Sequence, residues 1–234
     1  MTDALRVILE IGKKERRFVA GAMDWPGLDR WGRTEEEAVA KLTLYVPRYA
    51  NVAERAGAAG EFARHRHVEI VERVPGSSSA DYWGIAHVPS EIEREALRPP
   101  ELERRLALVR ACWTYFDDTA DRVPAELRPG PRGGGWTRDE IIRHVHVNEP
   151  AQFTRKVEVR TPREVVLTPD GRAAHREATL AAIRAYTADG KIAGRTWPIQ
   201  FLIRRIAHHV MDHAWEMEDR DLSSSEHSEE RTGT

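Results

Sequence analysis

The sequence predicts two unlike halves, an α+β unit with a small antiparallel sheet plus helix over residues 1–75 and an all-α four-helix bundle over residues 100–222. Three observations carry this. Near-alternating apolar runs recur within residues 1–75 around one amphipathic helix. A Pro-, Gly- and Ser-containing break follows over residues 76–99 and reads as a linker. From Pro100 the apolar spacing changes to threes and fours through four segments of about 20 residues, which is what a four-helix bundle needs.

In chain order, Leu5 to Ile11 alternates as a strand, and Gly12-Lys-Lys-Glu15 has turn chemistry. Arg17 to Met23 is a second strand, closed by Trp25-Pro26-Gly27. Thr34 followed by Glu37 forms a capping box, and the helix it opens sets Ala38, Leu42, Tyr45, Val46 and Tyr49 on one face. Pro47 is expected to kink or restart that helix. His67 to Val74 alternates again as a returning strand. In the second half, Leu102, Leu106, Val109, Cys112, Trp113 and Phe116 make the first helical stripe, ending near Pro124. Pro129 to Gly135 is a loop, and its Gly133-Gly-Gly135 run lacks the lysine and hydroxyl residue of a phosphate loop. Thr137 and Glu140 cap a second helix carrying Ile141, Ile142, Val145 and Phe153. A third opens at Thr168-Pro169, with Ala174, Leu180, Ile183 and Tyr186 inward and Gly190 as its stop. The link between these two, Val159 to Leu167, is longer than a tight hairpin requires and has room to cross the bundle. Trp197-Pro198 opens the fourth helix, with Phe201, Leu202, Ile206, Val210 and Trp215, and the polar tail 223–234 is expected to be disordered.

Composition narrows the function classes. The chain has 234 residues, 41% hydrophobic and 32% charged, as in an ordinary globular protein. No apolar run approaches a membrane span, and the N-terminus lacks a signal peptide's apolar core, so a cytoplasmic location and no membrane partner are expected. Thirty-six basic against thirty-eight acidic residues give a net charge of −2, so the positive field that nucleic-acid binding needs is missing. One cysteine, Cys112, excludes an internal disulfide and cysteine-rich zinc sites, and its apolar neighbours mark it as a core residue. Trp113, Trp136 and Trp215 can line a pocket, though core packing is their default. The Glu91–Glu95 run reads as a solvated face.

The ten histidines carry the functional question. Residues i and i+4 lie one above the other on a helix, so His209 and His213 form a pair able to share a metal ion. Ile206, Val210 and Met217 flank that direction and turn it toward the bundle interior. His208 lies about 100° around the helix and cannot converge with them. On the second helix His144 and His146 lie about 200° apart. His144 follows Ile141 by one turn and falls on the apolar side, whereas His146 is expected at a solvated edge. An isolated His-x-x-x-His pair is as readily a surface ladder or a set of satisfied core histidines. His144 supplies the third ligand of a site with open coordination positions. Glu149, Asp212 and Glu216 are candidate carboxylates to accept a ligand ring's other N–H or to shuttle a proton.

Trp136-Thr-Arg-Asp-Glu-Ile-Ile-Arg-His144-Val-His-Val-Asn-Glu149 resembles the second-helix signature of the DinB/YfiT-like metalloenzymes, and His209-Val-Met-Asp-His213 resembles their fourth-helix pair. The resemblance covers about residues 100–220. It implies a four-helix bundle, often a homodimer, with a divalent zinc- or nickel-class metal on three histidines. Some members transfer an external low-molecular-weight thiol to a small-molecule substrate. The sequence departs from that family where Asp212 precedes the last ligand and Ala-Trp-Glu216 follows it, which bears on the substrate class more than on the metal. Water activation for hydrolysis is the other route such an ion opens.

Phe18-Val-Ala-Gly-Ala-Met-Asp24-Trp-Pro26-Gly27 and Gly32-Arg-Thr34-Glu-Glu-Glu-Ala38 resemble the HicB-like antitoxin domain, without the ribbon-helix-helix segment that often follows it. No catalytic constellation is visible in this half. It implies a scaffold or lid, or, in the rival reading, a non-catalytic regulatory protein that meets a partner through this domain and uses the bundle as scaffold.

Overall fold

The alternation from Ala4 to Ile11 forms strand β1, and the turn after it returns the chain as β2, Phe18–Ala22, antiparallel to β1. The structure is a computed structural model that describes residues 3–130, 134–188 and 197–223. The Trp25-Pro26-Gly27 turn leads into β3, Asp29–Gly32, a strand too short to leave a readable alternation. Helix α1, Glu35–Arg55, starts at Thr34, whose side chain accepts from the Glu37 amide, and runs unbroken through Pro47, so no restart occurs there. Helix α2, Ala59–Phe62, precedes β4, His67–Pro75. The sheet order is β3-β2-β1-β4, and β4 pairs parallel to β1. The expected antiparallel sheet is therefore mixed. The long α1 crossover lets β4 return in the direction of β1, which a tight hairpin cannot do.

The 76–99 segment carries ordered structure. Helix α3, Ser78–Trp83, is capped by Ser77, and a 3₁₀ turn spans Ile92–Arg94. Glu10 of β1 accepts the His87 and Val88 amides at 2.8 and 3.0 Å, which ties the segment to the sheet. Glu93, expected on a solvated face, is buried and holds the buried Arg204 at 2.7 Å. A buried guanidinium needs a carboxylate within reach, and the 3₁₀ turn delivers one.

The C-terminal half is built from α4 (Pro99–Arg122), α5 (Arg138–Asn148), the short α6 (Arg163–Val166), α7 (Pro169–Ala188) and α8 (Ile199–Asp219). The second helix, expected to reach Phe153 as one piece, changes at Glu149 into a π-helical turn and then a 3₁₀ turn, Thr154–Val157. Pro150 has no N–H to donate and its ring crowds the carbonyl of His146, which widens the turn. Gly190, the expected stop of the third helix, and the tail from residue 224 lie outside the described residues.

One apolar core runs through both halves. Leu5, Val7 and Leu9 of β1 and Leu42, Tyr49 and Val52 of α1 belong to the same cluster as Leu106, Val109 and Phe116 of α4 and Ile206, Val210 and Met217 of α8. The β2–β3 turn is the wedge between them. Its Pro26 carbonyl accepts from the Tyr49 hydroxyl at 2.8 Å, and Gly27 sits at φ +100 with Met211, Cys112 and Ala207 where a side chain would go. Only glycine tolerates both that backbone conformation and that closeness. Arg30 of β3 completes the clasp. Its guanidinium lies 3.8 Å from the Tyr45 ring centre and 4.1 Å from that of Trp215, and it bonds Asp212 at 3.1 Å. The sheet thereby fixes the rotation of α8.

Candidate metal centre

Helix α5 is set by a complete capping box. Thr137 accepts from the Glu140 amide, and Glu140 reaches back to the Thr137 amide at 2.8 Å. Ile141 and Val145 bury one stripe of the helix, which places His144 toward α8. On α8, burial of Ile206, Val210 and Met217 orients His209 and His213 toward α5. The result is one cluster in which a ligand nitrogen from each of His144, His209 and His213 lies within 4.8 Å of the others. His144 Nε2 and His209 Nε2 are 3.2 Å apart. All three side chains are partly exposed, so the cluster is reachable from outside.

The electrostatics keep lone pairs available. Burial, followed by the neighbouring His213, pushes His144 down to about 4, and burial with the same neighbours holds His209 well below the ordinary histidine range. Both are neutral at pH 7. His213 Nδ1 donates to Glu216 Oε2 at 2.9 Å, and Glu216 Oε1 accepts from Arg220 at 2.9 Å. That chain fixes the His213 tautomer and leaves its Nε2 as the ligand atom. Asn148, one turn after His144, places its amide nitrogen 2.9 Å from the His144 carbonyl and 3.0 Å from its Nδ1. Rings close the remaining sides. Trp136, 44% exposed, lies 4.5 Å from the His144 ring and stacks 6.2 Å from that of His213, while Phe153 is 5.2 Å from His209.

The donor set fits a borderline divalent ion. Three imidazoles suit zinc or nickel, and three protein ligands leave open positions for water or substrate. The His209 Nδ1 is buried with no hydrogen-bond partner among the described residues.

Of the sequence-named carboxylates, only Glu216 contacts a clustered histidine. Glu149 is buried on the far side of its turn, where it accepts from the Trp113 indole at 2.6 Å. Five helical residues from His144 carry it about 140° around the axis. Asp212, one residue before His213, points about 100° away, to Arg30. His146 faces away from His144 as the helix geometry requires, but it is buried, because that side of α5 meets Phe116 of α4 and Arg172 of α7. His208 is buried beside Arg205, at 3.2 Å. Trp113 and Trp215 are core residues, and so is Cys112, whose thiol burial pushes far up. Asn148 and Phe153 were not legible as site residues. Asn148 follows His144 at the i+4 spacing that brings helix neighbours together; Phe153 reaches His209 only because the π turn re-aims it.

No family model, curated protein or solved structure matches the chain. No helix among the described residues is long and apolar enough to cross a membrane.

Proposed function

We propose that the protein is a metal-dependent enzyme of the DinB-like type, in which His144, His209 and His213 hold a zinc- or nickel-class ion and α4, α5, α7 and α8 form the four-helix bundle. The observation that carries the reading is the convergence of three partly buried imidazoles from two helices, with a carboxylate behind one of them. When bound, such an ion lowers the pKa of a coordinated water toward 7 and deprotonates a coordinated thiol. The chain's own residues supply the rest. Glu216 holds the Nδ1 proton of His213 and so keeps that ring's lone pair forward. Trp136 covers the solvent side and gives an apolar surface against which a small-molecule substrate packs. Cys112 is buried in the core, so a nucleophilic sulfur in this reaction comes from an external thiol. The HicB-like half acts as the scaffold that clamps α8 through Arg30.

The test is elemental analysis of protein purified without chelator, together with a His209→Ala/His213→Ala variant. About one zinc- or nickel-class ion per chain is expected in the wild type and almost none in the variant; a metal-free wild type that also fails to load sinks the reading. A screen with glutathione, bacillithiol and mycothiol on electrophilic substrates then separates thiol transfer from hydrolysis. Turnover surviving His144→Ala places the chemistry elsewhere.

A further inference from the structure

Away from the histidines, a cleft of about 610 Å³ opens where the sheet meets the start of α4. That volume is in the range of small-molecule sites. Its apolar wall is Met23, Trp25 and Leu97. The charged residues deepest in it are committed to one another. Arg105, only 3% exposed, bonds Glu101 at 2.9 Å, Asp24 at 3.3 Å and the Met23 carbonyl at 3.0 Å. Arg104 bonds Glu61 and the Asp24 carbonyl, and its guanidinium lies 4.3 Å from the Trp25 ring centre. These pairs neutralise the interior and make it rigid.

Beside the His65 Nδ1, which is buried with no hydrogen-bond partner among the described residues, two features stand out. Arg64, after α2, and Arg98, at the α4 start, line the cleft at exposed positions and make no ion pair among the described residues. Against them stands one unpaired carboxylate, that of Glu95. Gln200 lines the same cleft, is 4% exposed, and gives its amide nitrogen to the carbonyls of Glu95 at 2.7 Å and Ile92 at 3.4 Å. Two carbonyl partners fix which end of the amide is nitrogen. Its Oε1 is consequently an oriented acceptor, buried and with no donor among the described residues. A buried acceptor left without a donor is destabilising, and a ligand's O–H or N–H removes that cost.

We propose that this cleft is a second small-molecule site, independent of the histidine cluster, that takes an amphipathic organic anion. The ligand's carboxylate or phosphate sits between Arg64 and Arg98, where planar guanidinium forks match such groups. Its apolar body packs on Met23, Trp25 and Leu97, and a hydroxyl or N–H at the far end donates to Gln200 Oε1. Because the cleft is made by the sheet and α4 together, an occupant bridges the two halves of the chain.

The test is calorimetric titration of the full chain with 4-hydroxycinnamate, cinnamate and the neutral 4-hydroxycinnamyl alcohol. The hydroxy acid is expected to bind one-to-one in the millimolar range or tighter, cinnamate about tenfold more weakly, and the alcohol without saturation. Arg64→Ala/Arg98→Ala, at the exposed rim where folding is least at risk, weakens both acids by tenfold or more. Gln200→Leu brings the two acids to the same affinity. His209→Ala/His213→Ala binds them as the wild type does. The proposal is overturned if neither acid saturates, if the alcohol binds as well as the acids, or if the rim variant binds like the wild type. It is equally overturned if Gln200→Leu keeps the hydroxyl preference, or if the histidine variant abolishes binding, which places the acid on the metal centre.

Discussion

Helices α5 and α8 each carry histidines on two faces, and the two faces behave differently. On the near face His144, His209 and His213 converge, are partly exposed, and have no arginine hydrogen-bonded to any ring among the described residues. On the far face His146 lies beside Arg172 and His208 beside Arg205, each alone and almost fully buried. Burial keeps imidazoles neutral on both faces: His146 is pushed down to about 3, chiefly by desolvation, and His208 well below the ordinary range. Neutrality therefore does not distinguish a site from a core. Convergence of ring nitrogens with an open side does, and a cationic neighbour on the far face works against a second cation.

The largest effect that can break this contrast is ligand removal. His209→Ala/His213→Ala is expected to weaken metal binding on the order of 1,000-fold or more, since two of three ligands disappear. His208→Ala should leave affinity within about threefold while costing about 2 kcal/mol of stability, as expected for a core truncation. Chelator competition and urea unfolding measure the two. Equal metal loss in both variants would mean that α8 collapses as a whole and that the two faces are not separable.

The far face makes its own prediction through Glu149. Burial, opposed by Arg176 and by the Trp113 hydrogen bond, raises this carboxyl to about 7. Its folded value lies above the unfolded one, so the folded chain binds the extra proton between pH 4.5 and 7. Stability from this group is complete below about pH 4.5 and is lost as pH rises through 7. Glu149→Gln removes the dependence, so the variant should exceed the wild type by about 3 kcal/mol at pH 8.5 and match it near pH 4. Asp29, also raised, to about 6 by burial, titrates in both proteins and cancels in the comparison. A difference that does not change with pH would remove Glu149 as the titrating group.

Next in size is the carboxylate behind His213. Glu216→Gln leaves the shape of the site but replaces an ionic acceptor by a neutral one, and metal affinity should fall about 10- to 100-fold. Asp212→Asn, which touches Arg30 instead, should leave affinity unchanged and loosen the clasp between the halves. If the two variants have the same effect, Glu216 works only as a structural partner of Arg220.

The near face was legible in advance because helix periodicity is a local property. An i+4 spacing puts His209 and His213 together, and Ile141 one turn before His144 marks its direction. The far face was half legible. Periodicity showed that His146 points away from His144, but whether that direction meets water or another helix is decided by α7, remote in the sequence. Glu93 was missed for the same reason, because its charge read as solvent-facing until Arg204, 111 positions on, became its partner. The parallel β1–β4 pairing was invisible because alternation reports which face is buried and says nothing of strand direction. Pro150 advertised a break, but not that the break would be a π turn delivering Phe153 to His209.

The smallest effect concerns a single proton on the near face. Asn148 presents an amide nitrogen 3.0 Å from His144 Nδ1, so in the metal-free chain Nδ1 accepts and Nε2 carries the hydrogen, which points at His209 Nε2. An ion held at Nε2 requires the opposite tautomer, with the hydrogen on Nδ1 facing a donor. Asn148→Asp replaces that donor by an acceptor of the same size, at the loss of the bond to the His144 carbonyl, while Gln152, now donating at 2.6 Å to the Asn148 oxygen, keeps a partner. A carboxylate on Nδ1–H raises the basicity of the ligating nitrogen and adds charge opposite to the ion, so affinity should rise about tenfold. Asn148→Leu, which offers neither donor nor acceptor, should not give that gain. Nitrogen NMR chemical shifts of the isotope-labelled His144 ring read the tautomer directly: Nε2–H in the metal-free wild type, Nδ1–H in Asn148→Asp. If the aspartate and leucine variants bind metal equally well, the amide at position 148 has no part in setting the proton, and the near face depends on its three rings and Glu216 alone.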